Sequence, residues 1–168
     1  MGDSAGRVTS YIVVALGIVL AVMLFMMRID ETKDGYVKNE VTNFVDVCRT
    51  TGEISPNNYR DLYSTVYGLD DYTISMQVDR RVVYPNDDGT TRTEWRTIKG
   101  DTILDEMYGT GSSDQESYNM KAGDMLTVSI TRNSASTSSR MFTWFTHGQG
   151  DAGMIIVKYS GTVGNYGG

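Results

Sequence analysis

An uninterrupted apolar stretch near the amino terminus constrains this chain more than any other feature. Residues 11–27 read YIVVALGIVLAVMLFMM, without a single charge. A helix that rises about 1.5 Å per residue needs roughly 20 such residues to cross the hydrocarbon core of a bilayer. In lipid the backbone must satisfy its own hydrogen bonds, so a spanning stretch has to be helical. We therefore predict a transmembrane helix over residues 11–29, with a buried helix of a soluble core as the alternative.

The residues around this stretch bear on its processing and orientation. The run is longer than the apolar segment of a secretory signal peptide, and no small-x-small cleavage pattern follows it. These features favour an uncleaved signal anchor. Basic residues favour the opposite orientation to the one we expect, because only Arg7 precedes the run while Arg28, Lys33 and Lys38 follow it. Since long domains translocate regardless of flanking charge, we expect residues 1–10 to be a cytoplasmic tail and the domain to lie outside the cell membrane.

The composition excludes several classes of function. The formal net charge is −6, and an acidic surface argues against nucleic acid, whose phosphates require clusters of Lys and Arg. The same charge argues against peripheral docking on anionic lipid headgroups. The chain has one cysteine, Cys48, which excludes an internal disulfide. About 140 residues follow the apolar stretch, enough for one domain with its own core.

A second helical pattern begins shortly after the apolar stretch. Its apolar residues recur at i, i+4, i+7, i+8 and i+11, which is one stripe of an amphipathic helix. The stripe consists of Val37, Val41, Phe44, Val45 and Cys48. We predict an amphipathic helical extension over residues 30–52, either continuous with the membrane helix or broken at Gly35, where glycine costs about 1 kcal/mol relative to alanine. Gly52 is the predicted stop.

The start of the next helix is signalled locally. Ser55 followed by Pro56 is typical of a helix start, because serine caps the first turn and proline lacks only an N–H that needs no partner there. Apolar residues then repeat at helical spacing up to Gly68, the predicted end. They are Tyr59, Leu62, Tyr63 and Val66.

Strand patterns dominate the rest of the chain. Alternation of apolar and polar residues, broken by turn residues at 85–89, predicts antiparallel strands. The predicted strands are 72–78, which 81–84 continues or restarts, 90–98, 125–131 and 154–159. Helical turns are predicted at 101–108 and, as an alternative to an irregular apolar plug, at 140–145. Residues 53–168 are thus predicted to form an extracytoplasmic α+β domain, in which helices cover an antiparallel β-sheet.

No pattern in the chain predicts a catalytic, metal or cofactor site. His147 is the single histidine, so a paired-histidine metal site is impossible, and no Gly-x-Ser-x-Gly elbow accompanies it. A tethered hydrolase that uses His147 is the remaining enzyme hypothesis. Cys48 is expected to be a buried apolar residue, with an inter-chain disulfide as the alternative. Residues 86–89 favour a hairpin tip over a calcium site, and the glycines at 109–111 lack the lysine of a phosphate loop.

Small residues within the apolar stretch suggest helix packing in the membrane. Gly17 and Ala21 form a small-x-x-x-small pair, and Ala15 lies nearby. Small side chains at this spacing allow two helices to approach closely. We therefore predict that the apolar stretch and the amphipathic stripe carry assembly. The residues concerned are Ala15, Gly17 and Ala21 of the stretch and Val37, Val41, Phe44, Val45 and Cys48 of the stripe.

The order of these elements resembles that of type IV pilins and pseudopilins, in which a membrane helix runs into an amphipathic helix and then a sheet. Residues 39–78, 121–132 (KAGDMLTVSITR) and 155–163 (IIVKYSGTV) are similar to TadE-like proteins of bacterial tight-adherence (Tad/Flp-type) pilus loci. The resemblance implies a structural subunit, not an enzyme, that builds or anchors a surface pilus or related secretion machine. Its partners would be the membrane and other subunits, with a homo-oligomer or filament included.

The chain departs from type IV pilins at two positions that matter. Those pilins are usually cleaved after a glycine and carry a glutamate at the fifth position of the mature helix. Here Gly6 precedes Arg7, and the fifth residue after Gly6 is Tyr11. An uncleaved accessory subunit therefore fits better than a major pilin. The alternative function is a membrane-tethered extracellular domain that binds a ligand through exposed tyrosines and loops.

Overall fold

Four helices and six strands make up the computed structural model of this protein, which describes residues 2–86, 88–109, 115–146 and 153–164. In chain order they are α1 (Gly2–Thr51), β1 (Glu53–Ile54), α2 (Pro56–Leu69), β2 (Tyr72–Pro85), β3 (Thr91–Lys99), α3 (Gly100–Tyr108), β4 (Tyr118–Asn119), β5 (Met125–Arg132), α4 (Thr137–Thr146) and β6 (Ile155–Thr162). A long apolar helix is followed by further helices and an antiparallel sheet. The predicted α+β class is confirmed.

Helix α1 is one unbroken element of 50 residues, about 75 Å long at the usual rise. It continues through Gly35, so the alternative of a break there is wrong. A Cβ added at Gly35 would meet nothing within 4 Å. The helix ends at the predicted position, because Gly52 adopts φ +75° and its N–H donates to the carbonyl oxygen of Cys48 at 2.9 Å.

Helix α2 begins as its sequence predicts. The Ser55 side chain accepts a hydrogen bond from the backbone N–H of Asn58 at 3.2 Å, and Pro56 occupies the first turn. Leu62 and Val66 are buried. The helix ends at Leu69, one residue beyond the predicted Gly68.

The main sheet has four antiparallel strands in the order β3-β2-β5-β6. Strand β2 continues through residues 81–84 without restarting. Its first half pairs with β5, from Tyr72 opposite Arg132 to Asp79 opposite Met125. Its second half extends beyond β5 and pairs with β3, which leaves residues 80–85 and 91–96 as a two-stranded ribbon. Strands β1 and β4 form a separate short pair that was not predicted.

The core lies between the sheet and the carboxyl-terminal half of α1, with α2 and α3 closing it. Leu126, Val128 and Ile130, which alternate along β5, are fully buried. Strand β6 approaches α1 closely at Gly161, where an added Cβ would lie 2.9 Å from Cγ1 of Val45. Glycine is therefore required for the helix to lie this near the sheet.

The segment with two alternative predictions, residues 140–145, belongs to helix α4. The irregular plug is thus wrong. Helix α4 has no buried residue and packs against α1. It stands apart from the core that α1, α2 and α3 share.

Gly35 within α1 and Gly52 just past its end should respond in opposite directions to the same substitution. Gly35→Ala should raise the free energy of unfolding by about 1 kcal/mol, because alanine favours a helix and space is open around the position. Gly52→Ala should lower it by about 1–2 kcal/mol, because a Cβ disfavours the left-handed conformation there. Denaturant unfolding of the full chain in detergent, followed by circular dichroism, measures both. A shift of both variants in the same direction would contradict this account.

Candidate functional site: the membrane helix and its junction with the domain

The amino-terminal half of α1 exposes apolar side chains on every side. Residues 7–22 are all exposed, and beyond them Met23, Met26 and Ile29 are only partly covered. The helix Arg7–Thr51 is long and apolar enough to cross a membrane, and its most apolar window is not buried anywhere in the structure. Exposed apolar surface costs about 25 cal/mol per Å² in water. This half of α1 therefore requires lipid or another protein around it, as a membrane or signal anchor does.

The small residues of the apolar stretch do not share one face. Successive residues of a helix lie about 100° apart, so Gly17 and Ala21 fall on one side and Ala15 on nearly the opposite side. All three residues are exposed, and a Cβ at Gly17 would meet nothing within 4 Å. The face of Gly17 and Ala21 is thus open to a second helix. Ala15 lies instead on the side of α1 that α4 covers further along.

The predicted amphipathic stripe is buried within the domain. All five of its residues have between 0% and 4% of their surface exposed. They are Val37, Val41, Phe44, Val45 and Cys48. Because these side chains are buried in the chain's own core, the stripe fixes the domain on α1. Its part in assembly stays a prediction.

Between the exposed half and the buried half of α1 lies a polar cluster that the sequence analysis missed. Asp34 accepts a hydrogen bond from Nη2 of Arg132 at 2.5 Å and another from the hydroxyl of Tyr72 at 3.3 Å. The Arg132 side chain is almost fully buried, and its guanidinium lies 5.8 Å from the centre of the Tyr72 ring. The end of β5 and the start of β2 are thereby joined to α1.

Asp30, one turn earlier, holds the start of α4. Its carboxylate accepts hydrogen bonds from the backbone N–H of Ser138 at 2.9 Å and from the Ser138 hydroxyl at 2.6 Å. The Ser136 hydroxyl accepts from the N–H of Ser139 at 3.2 Å. A carboxylate is favourable at a helix amino terminus, where N–H groups lack partners within the helix. Asp30 therefore acts as a cap for α4 that is supplied by α1.

The signal for this cluster is present in the sequence. Asp30 and Asp34 precede Val37 and Val41 at helical spacing, so the two carboxylates continue the buried stripe. Carboxylates on the buried face of a helix require partners from other elements. The mixed charges of residues 28–35 conceal this pattern, and the partners lie about a hundred residues away in sequence.

Burial affects the proton affinity of two side chains in this region, Cys48 on α1 and Tyr72 on β2. It raises the pKa of Cys48 to about 12, with a smaller contribution from the charge of Glu53. Burial likewise raises the pKa of Tyr72, against the opposing effect of its neighbour Arg132. The Tyr72 hydroxyl therefore stays protonated and donates a hydrogen bond to the Asp34 carboxylate. The Cys48 thiol stays protonated, which argues against a nucleophilic role.

The remaining candidates for chemistry stay predictions. The described residues contain no group of three or more His, Cys, Asp or Glu that is placed to hold a metal ion. His147 lies outside the described residues, as do Asp87 and residues 110–114. The hairpin tip is formed as predicted, with Gly89 at φ +81°. Its Asp88 carboxylate accepts hydrogen bonds from both the N–H and the hydroxyl of Thr90.

Similarity to known proteins adds nothing to this geometry. Comparison of the chain with protein-family models, with curated proteins and with solved structures found no match. The resemblance to pilins and TadE-like proteins thus depends on the order of the elements and the residue pattern of this chain alone.

The pair of Asp34 and Arg132 should contribute strongly to stability. Asp34→Asn should lower the free energy of unfolding by about 3 kcal/mol, because it leaves the buried Arg132 charge without its counter-charge. Glu31→Gln is the matched control on the same helix. Its ion pair with Arg28 spans 3.9 Å between exposed side chains, so the change should be below about 0.5 kcal/mol. Equal effects of the two variants in denaturant unfolding would show that the cluster does not hold the domain.

Cys48 should resist modification in the folded protein. Its thiol is buried and its pKa is about 12, so alkylation at pH 8 should be slow until denaturant is added. Because the pKa is higher in the folded than in the unfolded state, stability should be unaffected below pH 9 and fall as the pH rises from about 9 towards 12. Rapid alkylation of the native protein, detected by mass spectrometry, would contradict the buried position of Cys48 and favour the hypothesis of an inter-chain disulfide.

Proposed function

We propose that the protein is a membrane-anchored structural subunit that acts by protein–protein contact in a bacterial surface pilus or related secretion machine. The observation that carries the proposal is the continuity of α1. One helix exposes apolar residues on every side in its first half and forms the spine of an α+β domain in its second half. An element of this kind transmits position from a membrane or a helical bundle to a domain without an intervening hinge.

The junction supports a structural role more than a role as a simple tether. A tether needs only a flexible linker between anchor and domain. Here the pair of Asp34 and Arg132 and the bonds from Asp30 to Ser138 fix the domain at a defined rotation about α1. Lys33 adds an ion pair to Asp70 at the end of α2, 3.3 Å away. A fixed rotation matters where neighbouring subunits must present matching surfaces.

The proposed location follows from the same helix. Residues 11–29 span the cell membrane once, residues 1–10 lie in the cytoplasm and the domain lies outside. The sequence supports an uncleaved subunit that remains in the membrane, because Tyr11 stands at the position where pilins carry glutamate. The other partners are subunits of the same machine, including further copies of this chain. Nucleic acid is not among them, given the net charge of −6.

One observation favours the alternative function, an extracellular binding domain. The ribbon of residues 80–85 and 91–96 projects beyond β5, and all its residues except the partly covered Arg80 and Val82 are exposed. Trp95 is 62% exposed on it, and Val83 and Tyr84 are also exposed. A two-stranded ribbon is only marginally stable by itself. Exposed aromatic residues on such a ribbon are suited to contact with a partner, whether a subunit or an external ligand.

Fractionation of the native envelope tests the proposed function. Gly17→Leu should reduce recovery of the protein in cross-linked or sheared assemblies about tenfold while leaving its membrane content unchanged, which corresponds to about 1.4 kcal/mol. Ala15→Leu is the matched control. It makes a similar small-to-large change on nearly the opposite side of α1, and we expect it to have little effect.

Two results would contradict the proposal. Recovery of the wild-type protein as a single copy, without partners after mild detergent extraction and cross-linking, would favour the binding domain. Equal behaviour of Gly17→Leu and Ala15→Leu would show that the face of Gly17 and Ala21 is not the assembly contact. Electron microscopy of the purified wild-type fraction distinguishes a filament from a membrane complex.

A further inference from the structure

Helix α4 runs back along the apolar half of α1. It begins at Asp30, which binds Ser138, and its far end reaches the middle of the stretch 11–27. An apolar groove of about 440 Å³ separates the two helices there. Its apolar lining consists of Ile18, Val19 and Val22 of α1 and Met141, Trp144 and Phe145 of α4, and Thr137 and Arg140 of α4 complete it. The two helices are therefore antiparallel, and the end of α4 lies at the depth at which α1 would be surrounded by hydrocarbon.

The polarity of α4 changes along its axis. The segment from residue 133 to residue 139 reads NSASTSS, and the helix then continues as RMFTWFT. Arg140 is the one charged residue of α4. Beyond it, Phe142 is 50% exposed, Trp144 75% and Phe145 47%. A helix that binds in a protein groove has an apolar stripe along one side. A helix that enters a bilayer from one surface has instead a polar end and an apolar end.

The length of α4 suits one leaflet. Ten residues of helix extend about 15 Å, which is half of the roughly 30 Å hydrocarbon core. Its polar start lies beside Asp30, just past the end of the apolar stretch, where lipid headgroups would be. Arg140 is one turn further in, and its long side chain can extend back to the headgroups. The Thr146 hydroxyl donates to the carbonyl oxygen of Phe142 at 2.9 Å, so this polar side chain at the end of α4 has a hydrogen-bond partner within the helix.

Further exposed apolar residues lie on α1 and at the edge of the domain beside the junction. Leu24 and Phe25 of α1 are exposed, and so are Met154 and Ile155 at the start of β6. The backbone N–H of Arg132 donates to the carbonyl oxygen of Met154 at 2.9 Å, so these residues lie beside the polar junction. The same solvent that covers α1 would therefore cover α4 and the adjoining edge of the domain.

From these observations we infer that α4 is a second membrane-embedded element, which lies in the outer leaflet beside α1. Its occupant is the acyl-chain region of the bilayer, and Trp144 and Phe145 face that region. The inference depends on the proposed placement of α1 in the membrane. It goes beyond that function, because it makes the protein a two-helix wedge in one leaflet and brings the base of the domain into contact with the headgroups.

The two tryptophans of the chain make this testable, because one lies on α4 and the other on the projecting ribbon. The full chain is placed in vesicles of phosphatidylcholine and phosphatidylglycerol whose acyl chains carry bromine, a contact quencher of tryptophan. In Trp95→Phe the emission comes from Trp144 alone, and in the matched control Trp144→Phe it comes from Trp95 alone. A third variant, Trp95→Phe/Trp144→Phe/Leu20→Trp, reports on α1.

We expect Trp144 and the tryptophan introduced by Leu20→Trp to lose most of their emission in brominated vesicles, while Trp95 loses little. Loss at the Leu20→Trp site but not at Trp144 would overturn the inference and leave the membrane placement of α1 intact. Shielding of Trp144 from aqueous acrylamide without quenching by bromine would also overturn it, in favour of a second protein chain on α4. Absence of quenching at the Leu20→Trp site would overturn the membrane placement itself, and the inference with it.

Discussion

The structure depends on one helix, α1, whose two halves have different surfaces. A helix in hydrocarbon must be apolar on all sides, whereas a helix on a sheet needs a single apolar stripe. Helix α1 changes from the first pattern to the second without interrupting its backbone hydrogen bonds. The change occurs at residues 28–35, where the apolar surface narrows to the side that faces the domain. Everything that packs on the second half is thereby positioned relative to the first.

The place where the pattern changes is also where the chain buries charge. Asp30 is 6% exposed and Arg132 3%, and burying such groups is costly unless each is paired and hydrogen-bonded. The two carboxylates meet this requirement, Asp34 with a cation and a phenol and Asp30 with a helix amino terminus. Apolar residues at the same positions would allow the domain to turn about α1 with little change in contact. Directional bonds to Asp30 and Asp34 permit one rotation, so we regard specificity as the benefit of this cluster.

Local signals predicted most of the fold and little of the junction. The cap of Ser55, the alternation in β2 and the glycine stop at Gly52 each depend on neighbours in sequence, and the structure has them where they were predicted. The sequence left open whether α1 continues through Gly35. The helix does continue, because the penalty of about 1 kcal/mol for a glycine inside a helix is smaller than the stabilisation that packing on both sides of it supplies. The bonds of Asp34 to Arg132 and of Asp30 to Ser138 join residues 98 and 108 positions apart. No local pattern specifies which partner such a carboxylate finds.

The exposed apolar residues lie on surfaces that require different surroundings, either lipid or a partner protein. The domain buries its stripe and the apolar residues at the centre of its sheet face, so the exposed residues are not a sign of a poor core. They concentrate on the first half of α1, on α4 and on the ribbon. The first two are adjacent, and α4 becomes more apolar in the direction in which α1 does. In the proposed placement one lipid phase covers both, whereas the ribbon carries arginines beside its aromatic residues and points away from that phase. A partner protein, with a mixed polar and apolar surface, is the cover that the ribbon requires.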